Sequence, residues 1–95
     1  MKRIDILMKR RILLVREITA GLDYFLIGTV AKSPSMFGYG LTTKVEGKTI
    51  TRYIRKDIVT KALEMTKRYK KLWILMQKLS RINWEILRLE NEEGA

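Results

Sequence analysis

The chain contains no cysteine and no histidine among its 95 residues. Disulfide bonds, thiolate chemistry and imidazole acid–base catalysis are therefore excluded, and nearly all zinc sites with them. Only one proline is present, and no apolar run approaches the ~20 residues that a membrane-spanning helix needs. We therefore expect an intracellular, cytoplasmic protein whose partners do not include the membrane.

Acidic residues are also scarce, since ten Asp and Glu stand against twenty Lys and Arg and give a net charge of +10. Ten of the cations and three of the acids fall in residues 44–71, whereas residues 72–95 carry three cations and four acids. A field this positive attracts polyanions, and nucleic acid is the commonest of them. A solubilising surface and an acidic protein partner are the alternatives.

The sequence favours a protein without enzymatic activity. No two of its acids are placed as a metal-binding or general acid–base pair. No glycine-rich phosphate loop occurs, because Glu46-Gly47-Lys48-Thr49 lacks both the upstream glycine and the following helix. We therefore expect no catalytic residues, no metal and no cofactor.

Apolar spacing and turn residues predict four elements in a single domain of residues 1–95. A basic amphipathic helix covers residues 3–20 and ends at Gly21, and a short aromatic and β-branched run at 23–31 predicts a strand. A loop at 32–38 precedes a hairpin whose two strands flank Glu46-Gly47, with Val45 opposite Lys48, Thr43 opposite Ile50, Leu41 opposite Arg52 and Tyr39 opposite Ile54. The predicted divisions are residues 1–21, 22–56, 57–90 and a frayed acidic tail at 91–95.

The long helix is predicted to begin near Asp57, a good N-cap residue, and to carry a heptad seam. The seam recurs at spacings of four and three and consists of Ile58, Ala62, Met65, Tyr69, Leu72, Met76, Leu79, Asn83 and Ile86. A helix of about thirty residues is about 45 Å long, more than a domain of this size can bury. We therefore predict that a second copy covers much of it, and that the dimer contacts are Met65, Tyr69, Leu72, Met76, Leu79, Asn83 and Ile86.

Three residues of this helix allow two interpretations each. Asn83 either fixes the register of a helix pair or lies in water where the helices have splayed apart. Trp73 and Trp84 share one line beside the seam. Packing by the first helix or the sheet is the favoured explanation for them, and an exposed docking strip for a partner protein is the alternative.

The predicted nucleic-acid site combines the cations of the hairpin with those on the first turns of the long helix. These are Lys44, Lys48, Arg52, Arg55, Lys56, Lys61, Lys67, Arg68, Lys70 and Lys71. A two-stranded ribbon fits the major groove of B-DNA while neighbouring cations contact phosphates. Tyr53 either stacks on an unpaired base or packs across the strands over Gly40, and the packing role is the favoured one.

Several short segments resemble an uncharacterised family of small proteins encoded near transposases and other mobile elements. The matching pieces lie within residues 38–88 and are Gly38-Tyr39, Gly47-Lys48-Thr49, Arg52-Tyr53-Ile54, Tyr69-Lys70-Lys71-Leu72 and the run from Leu79 to Leu87. Members of that family often carry cysteines and a histidine before the hairpin, which this chain lacks. The resemblance implies genomic proximity to mobile DNA and no defined activity.

Together these features predict an α+β fold with an N-terminal helix, a small three-stranded antiparallel sheet containing a β-hairpin, and a long C-terminal coiled-coil-like helix. The expected function is nucleic-acid binding by a homodimer, with DNA before RNA. The main alternative is an adaptor or inhibitor that docks a partner protein through its long helix, and a membrane-surface role for the first helix is a weaker one. Abundant Ile, Lys, Arg and Glu with one Gln indicate a thermophilic source.

Overall fold

The computed structural model describes residues 2–33 and 38–94 and confirms the α+β class. The element order is α1 (Arg3–Gly21), β1 (Thr29–Ser33), β2 (Gly38–Val45), β3 (Lys48–Ile54), a 3-10 turn (Lys56–Ile58) and α2 (Val59–Gly94). The chain divides into two compact units. We call them the helical unit (Met1–Asp23 and Lys71–Ala95) and the sheet unit (Tyr24–Lys70).

In the helical unit α1 runs antiparallel to the second part of α2. The Arg3 guanidinium lies 2.9 Å from the Glu85 carboxylate at one end. At the other end Gly21 fits so closely that an added Cβ would lie 2.9 Å from Leu72 Cδ2. The buried apolar side chains of this unit are Leu7, Ile18, Leu72, Leu75 and Ile86. The first helix therefore covers the second part of α2, which we had expected a second copy to cover.

The sheet unit contains an antiparallel sheet with strand order β1-β2-β3. The predicted hairpin register is confirmed, with Val45 opposite Lys48 and Tyr39 opposite Ile54. Glu46 and Gly47 form the two-residue turn with φ of 49° and 82°. Positive φ at both positions is what a hairpin turn of this length requires, and glycine adopts it without strain.

The first strand begins later than the sequence predicted, at Thr29 instead of residue 23. The preceding segment packs on α2 instead of pairing in the sheet: the Phe25 ring stacks on the Tyr69 ring with centroids 5.8 Å apart, and the Leu26 N–H donates to the Met65 carbonyl at 3.1 Å. Its aromatic residues are thus used for packing on a helix. Within the predicted loop at 32–38, residues 32 and 33 belong to β1 and residue 38 to β2, while 34–37 lie outside the described residues.

The core of the sheet unit forms where the end of β3 meets the start of α2. Ile54, Val59 and Ala62 are buried there. The partly buried side chains packed against them are Leu26, Val30, Tyr39 and Leu41. One face of the sheet is therefore covered near its base.

The long helix is shifted at both ends relative to the prediction. Asp57 lies in the 3-10 turn, and its carboxylate is 3.4 Å from the Arg55 guanidinium. At the other end the helix continues through the predicted acidic tail to Gly94. An Arg88–Glu92 ion pair of 2.9 Å, four residues apart, supports this last segment.

Candidate nucleic-acid interface

All ten cations of the predicted nucleic-acid site are exposed. Two of them have partners, since Arg55 pairs with Asp57 and the Arg68 guanidinium lies 5.4 Å from the centre of the Tyr24 ring. In the described part of the chain, none of the other eight lies within ion-pair distance of a carboxylate. Most of this charge is therefore available to an external polyanion.

The hairpin extends beyond β1 as a narrow two-stranded ribbon. The pairing of β1 with β2 ends at Thr42, whereas β2 and β3 remain paired for three more positions, to Val45 and Lys48. At about 3.4 Å per residue this extension is about 10 Å long. Residues 44–50 are all exposed, and Thr43 anchors the base by donating its hydroxyl to the Ile27 carbonyl at 2.8 Å. A ribbon of this kind has the dimensions to enter a groove about 12 Å wide.

Strand alternation places the ribbon's cations on both of its faces. Lys44 shares one face with its partner Thr49, and the hydroxyls of Thr42 and Thr51 hydrogen-bond to each other there at 3.1 Å. Lys48, together with Arg52, projects from the other face. The hairpin thus lacks a single basic face, but phosphates line both walls of a DNA groove, so cations on both faces can reach them.

Tyr53 packs across the strands, as the favoured interpretation predicted. It lies opposite the buried Gly40, and a Cβ added at Gly38 would be 3.2 Å from its Cε2. The side chain nevertheless remains 59% exposed. One side of the ring therefore covers the glycine backbone of β2, while much of its surface stays open to solvent.

The α2 cations lie away from the helix side that packs on the sheet. Val59, Ala62 and Thr66 are buried, and Lys67 and Lys71 lie one turn apart on the exposed side. The Thr66 hydroxyl donates to the Leu63 carbonyl at 2.9 Å, which satisfies this buried polar group within the helix. Lys67 belongs to the sheet unit, and Lys71 is the first α2 residue of the helical unit.

One exposed cation of the sheet unit was missed by the sequence analysis. Lys32 lies on β1 opposite Tyr39, although the sequence had placed it in a loop. The alternation of polar and apolar residues from Thr29 to Ser33 could have indicated a strand there. The predicted strand was instead placed too close to the N-terminus, because the aromatic residues before Thr29 also favour strands. Lys32 brings a further positive charge to the sheet.

The predicted dimer contacts do not form one free surface. Leu72 and Ile86 are only 4% and 3% exposed because α1 covers them within the same chain. Met65, Tyr69 and Leu79 are partly buried, and the Tyr69 ring stacks on the Phe25 ring. Met76 and Asn83 are exposed. The covered side of α2 in the helical unit is instead the stripe Leu72, Leu75, Leu79, Ile82 and Ile86.

The comparisons with known proteins identify no relative. No protein-family model matches the chain, and no match was found among curated proteins or solved structures. Across residues 2–33 and 38–94, no helix combines the length and the apolarity needed to cross a bilayer. The same residues contain no group of three or more carboxylates that could hold a metal ion.

Proposed function

We propose that this protein binds nucleic acid, DNA before RNA, through the ribbon of β2 and β3 and the first turns of α2, and that it does so as a homodimer without enzymatic activity. The observation that carries the proposal is the set of eight exposed cations that have neither a carboxylate nor an aromatic partner among the described residues. Cations of this kind release condensed counterions when they contact phosphates, and that release is a major driving force of binding.

The two parts of the interface have different roles in this proposal. The ribbon enters the major groove, where Lys44 and Lys48 face opposite walls. The α2 cations contact the phosphate backbone outside the groove and fix the orientation of the protein. Threonine hydroxyls on the ribbon are suited to phosphates or base edges, because a hydroxyl both donates and accepts hydrogen bonds.

Three further features belong to the same proposal. The resemblance of residues 38–88 to proteins encoded near mobile elements supports a DNA target. A cytoplasmic location is also part of the proposal. A homodimer would present the cationic surface twice and raise the affinity for a long polyanion.

Charge reversal on α2 tests the proposal. Lys67→Glu with Lys71→Glu should weaken binding to a labelled duplex by about tenfold or more, because two phosphate contacts become repulsive. The measurement is fluorescence anisotropy at low salt, with single-stranded DNA and RNA of equal length for comparison.

The matched control is Arg16→Glu with Lys78→Glu, which makes the same change in net charge at exposed residues outside the predicted site. The control should lose much less affinity than the α2 pair. Equal losses would show that only the total charge matters, and absence of wild-type binding at low salt would refute the proposal.

A further inference from the structure

An uncharged face runs along the second part of α2, on a side that α1 leaves open. It consists of Trp73, Met76, Gln77, Ser80, Asn83, Trp84 and Leu87, and we call it the tryptophan face. Every member is exposed, with Trp73 at 49%, Trp84 at 62% and Leu87 at 51%. The face spans about 21 Å of helix, or four turns. Four of its seven members are apolar, and exposed apolar side chains grouped in this way are typical of an interaction site.

We propose that a second copy of this chain covers the tryptophan face, forming a two-fold symmetric dimer. This inference rests on the homodimer in the proposed function and deepens it by naming the surface. It replaces the heptad seam, whose Leu72 and Ile86 are already buried within one chain. Met76 and Asn83, the exposed members of the predicted dimer contacts, lie at the edge of the new face.

The first argument for a second copy is area. The chain exposes 7759 Å², whereas a monomeric protein of 11.2 kDa is expected to expose about 5,700 Å². This excess of about 2,000 Å² is spread over the whole chain, and it leaves room for an interface of standard size, which buries ~800 Å² per partner. Among the described residues no large side chain is less than 2% exposed, so the core of one chain is small. A small chain with this little buried surface gains stability when it associates.

The second argument is shape. Two surface hollows lie along this part of α2. One is on the tryptophan face and is lined by Trp73, Met76, Gln77 and Ser80, and the other is at its C-terminal end and is lined by Trp84, Leu87, Arg88, Asn91 and Glu92. Each hollow has an indole as one wall. Ser80 is the smallest residue between the two indoles, so the bulky side chains of one copy have space beside the small residue of the other. A face with both protruding and recessed side chains can be complementary to itself, as an isologous interface requires.

The third argument is charge. The chain has a net charge of +10, but the tryptophan face contains no ionisable side chain, so two copies can meet there without burying a charge. At its border Arg88 is neutralised by Glu92 at 2.9 Å. The remaining obstacle is long-range repulsion between two positive chains, which salt screens. Dimerisation should therefore strengthen with salt, opposite to nucleic-acid binding.

Sedimentation equilibrium of the full chain at low and high salt is the test. The wild type should have about twice its 11.2 kDa mass, with a lower dissociation constant at high salt. Trp73→Ser with Trp84→Ser should be monomeric, whereas Leu13→Ser, a control at a residue 63% exposed on α1, should dimerise like the wild type. Because the chain has two tryptophans and both lie on this face, wild-type emission should shift to the blue with increasing concentration.

If circular dichroism shows that the double variant has lost helicity, Ser80→Arg is the second test of the dimer. It places a charge in the centre of the tryptophan face and should therefore also be monomeric. A monomeric wild type at both salt concentrations, with unshifted emission, would refute the inference. So would dimers that persist in Ser80→Arg. Either result leaves nucleic-acid binding measurable by itself, since that binding weakens with salt.

Discussion

Gly28 holds the irregular segment before β1 close to β2. Its φ is +141°, a conformation that L side chains rarely adopt. An added Cβ would lie 2.6 Å from the Thr42 carbonyl oxygen and 2.8 Å from the Thr43 hydroxyl. The Thr43 hydroxyl also anchors the ribbon by donating to the Ile27 carbonyl. At this position a side chain is therefore both strained and without space.

Gly28→Ala should lower the free energy of unfolding by roughly 2–4 kcal/mol, because backbone strain adds to a clash with a main-chain oxygen that has little freedom to move. Gly47→Ala is the control, since its φ is +82° but nothing lies within 4 Å of the added Cβ. It should cost only about 1 kcal/mol of strain. Urea unfolding followed by circular dichroism measures both, and equal costs would contradict the close approach at Gly28.

Residue-scale features were predictable only where the neighbouring sequence determines the backbone. Glu46-Gly47 between two alternating strands predicts a tight turn by itself, and the register followed from it. The positive φ of Gly28 depends on β2 passing within contact distance, which a local pattern does not encode. The segment was therefore assigned to a strand.

The pairing of α1 with α2 in the helical unit depends on a few buried apolar side chains. Leu7 is 3% exposed, whereas Leu13, on a different side of α1, is 63% exposed. The Arg3–Glu85 ion pair joins the same two helices, with the Arg3 side chain 66% exposed and the Glu85 side chain 25% exposed. Ion pairs this close to water contribute at most about 1 kcal/mol, so apolar burial dominates the pairing.

Leu7→Ala should destabilise the protein by about 2–4 kcal/mol, as truncation of a buried leucine commonly does. Leu13→Ala should change stability by less than about 0.5 kcal/mol, because Leu13 is already 63% exposed and contributes little burial. Thermal or urea unfolding measures both variants. Similar effects of the two would show that α1 does not cover α2 through Leu7.

The helical period of α2 was predictable, but the side that α1 covers was not. Apolar residues at Leu72, Leu75, Met76, Leu79 and Ile82 satisfy the three-and-four spacing for more than one neighbouring stripe. The choice among them depends on where α1 packs, which is a tertiary contact. A tertiary contact also explains why β1 begins later than predicted. Aromatic residues favour strands on average, but Phe25 stacks on Tyr69 of α2 and does not pair in the sheet.

At the scale of the whole molecule, the two proposed associations have different physical origins. The tryptophan face is uncharged, and the proposed nucleic-acid site consists of cations that nearly all lack a carboxylate partner within the described residues. Composition alone predicted that many cations lack an acidic partner, because ten acids cannot pair with all twenty cations. Which cations are paired, and which apolar residues remain exposed, required the three-dimensional structure.

The salt dependence of duplex binding tests the central claim most directly. If the ribbon and α2 together contact about five or more phosphates, the logarithm of the association constant should fall linearly with the logarithm of salt concentration, with a slope of about −4 or steeper. Lys67→Glu with Lys71→Glu should reduce the magnitude of that slope by about 2. A slope near zero, or a slope that the double reversal leaves unchanged, would contradict the assignment of these cations to a nucleic-acid interface.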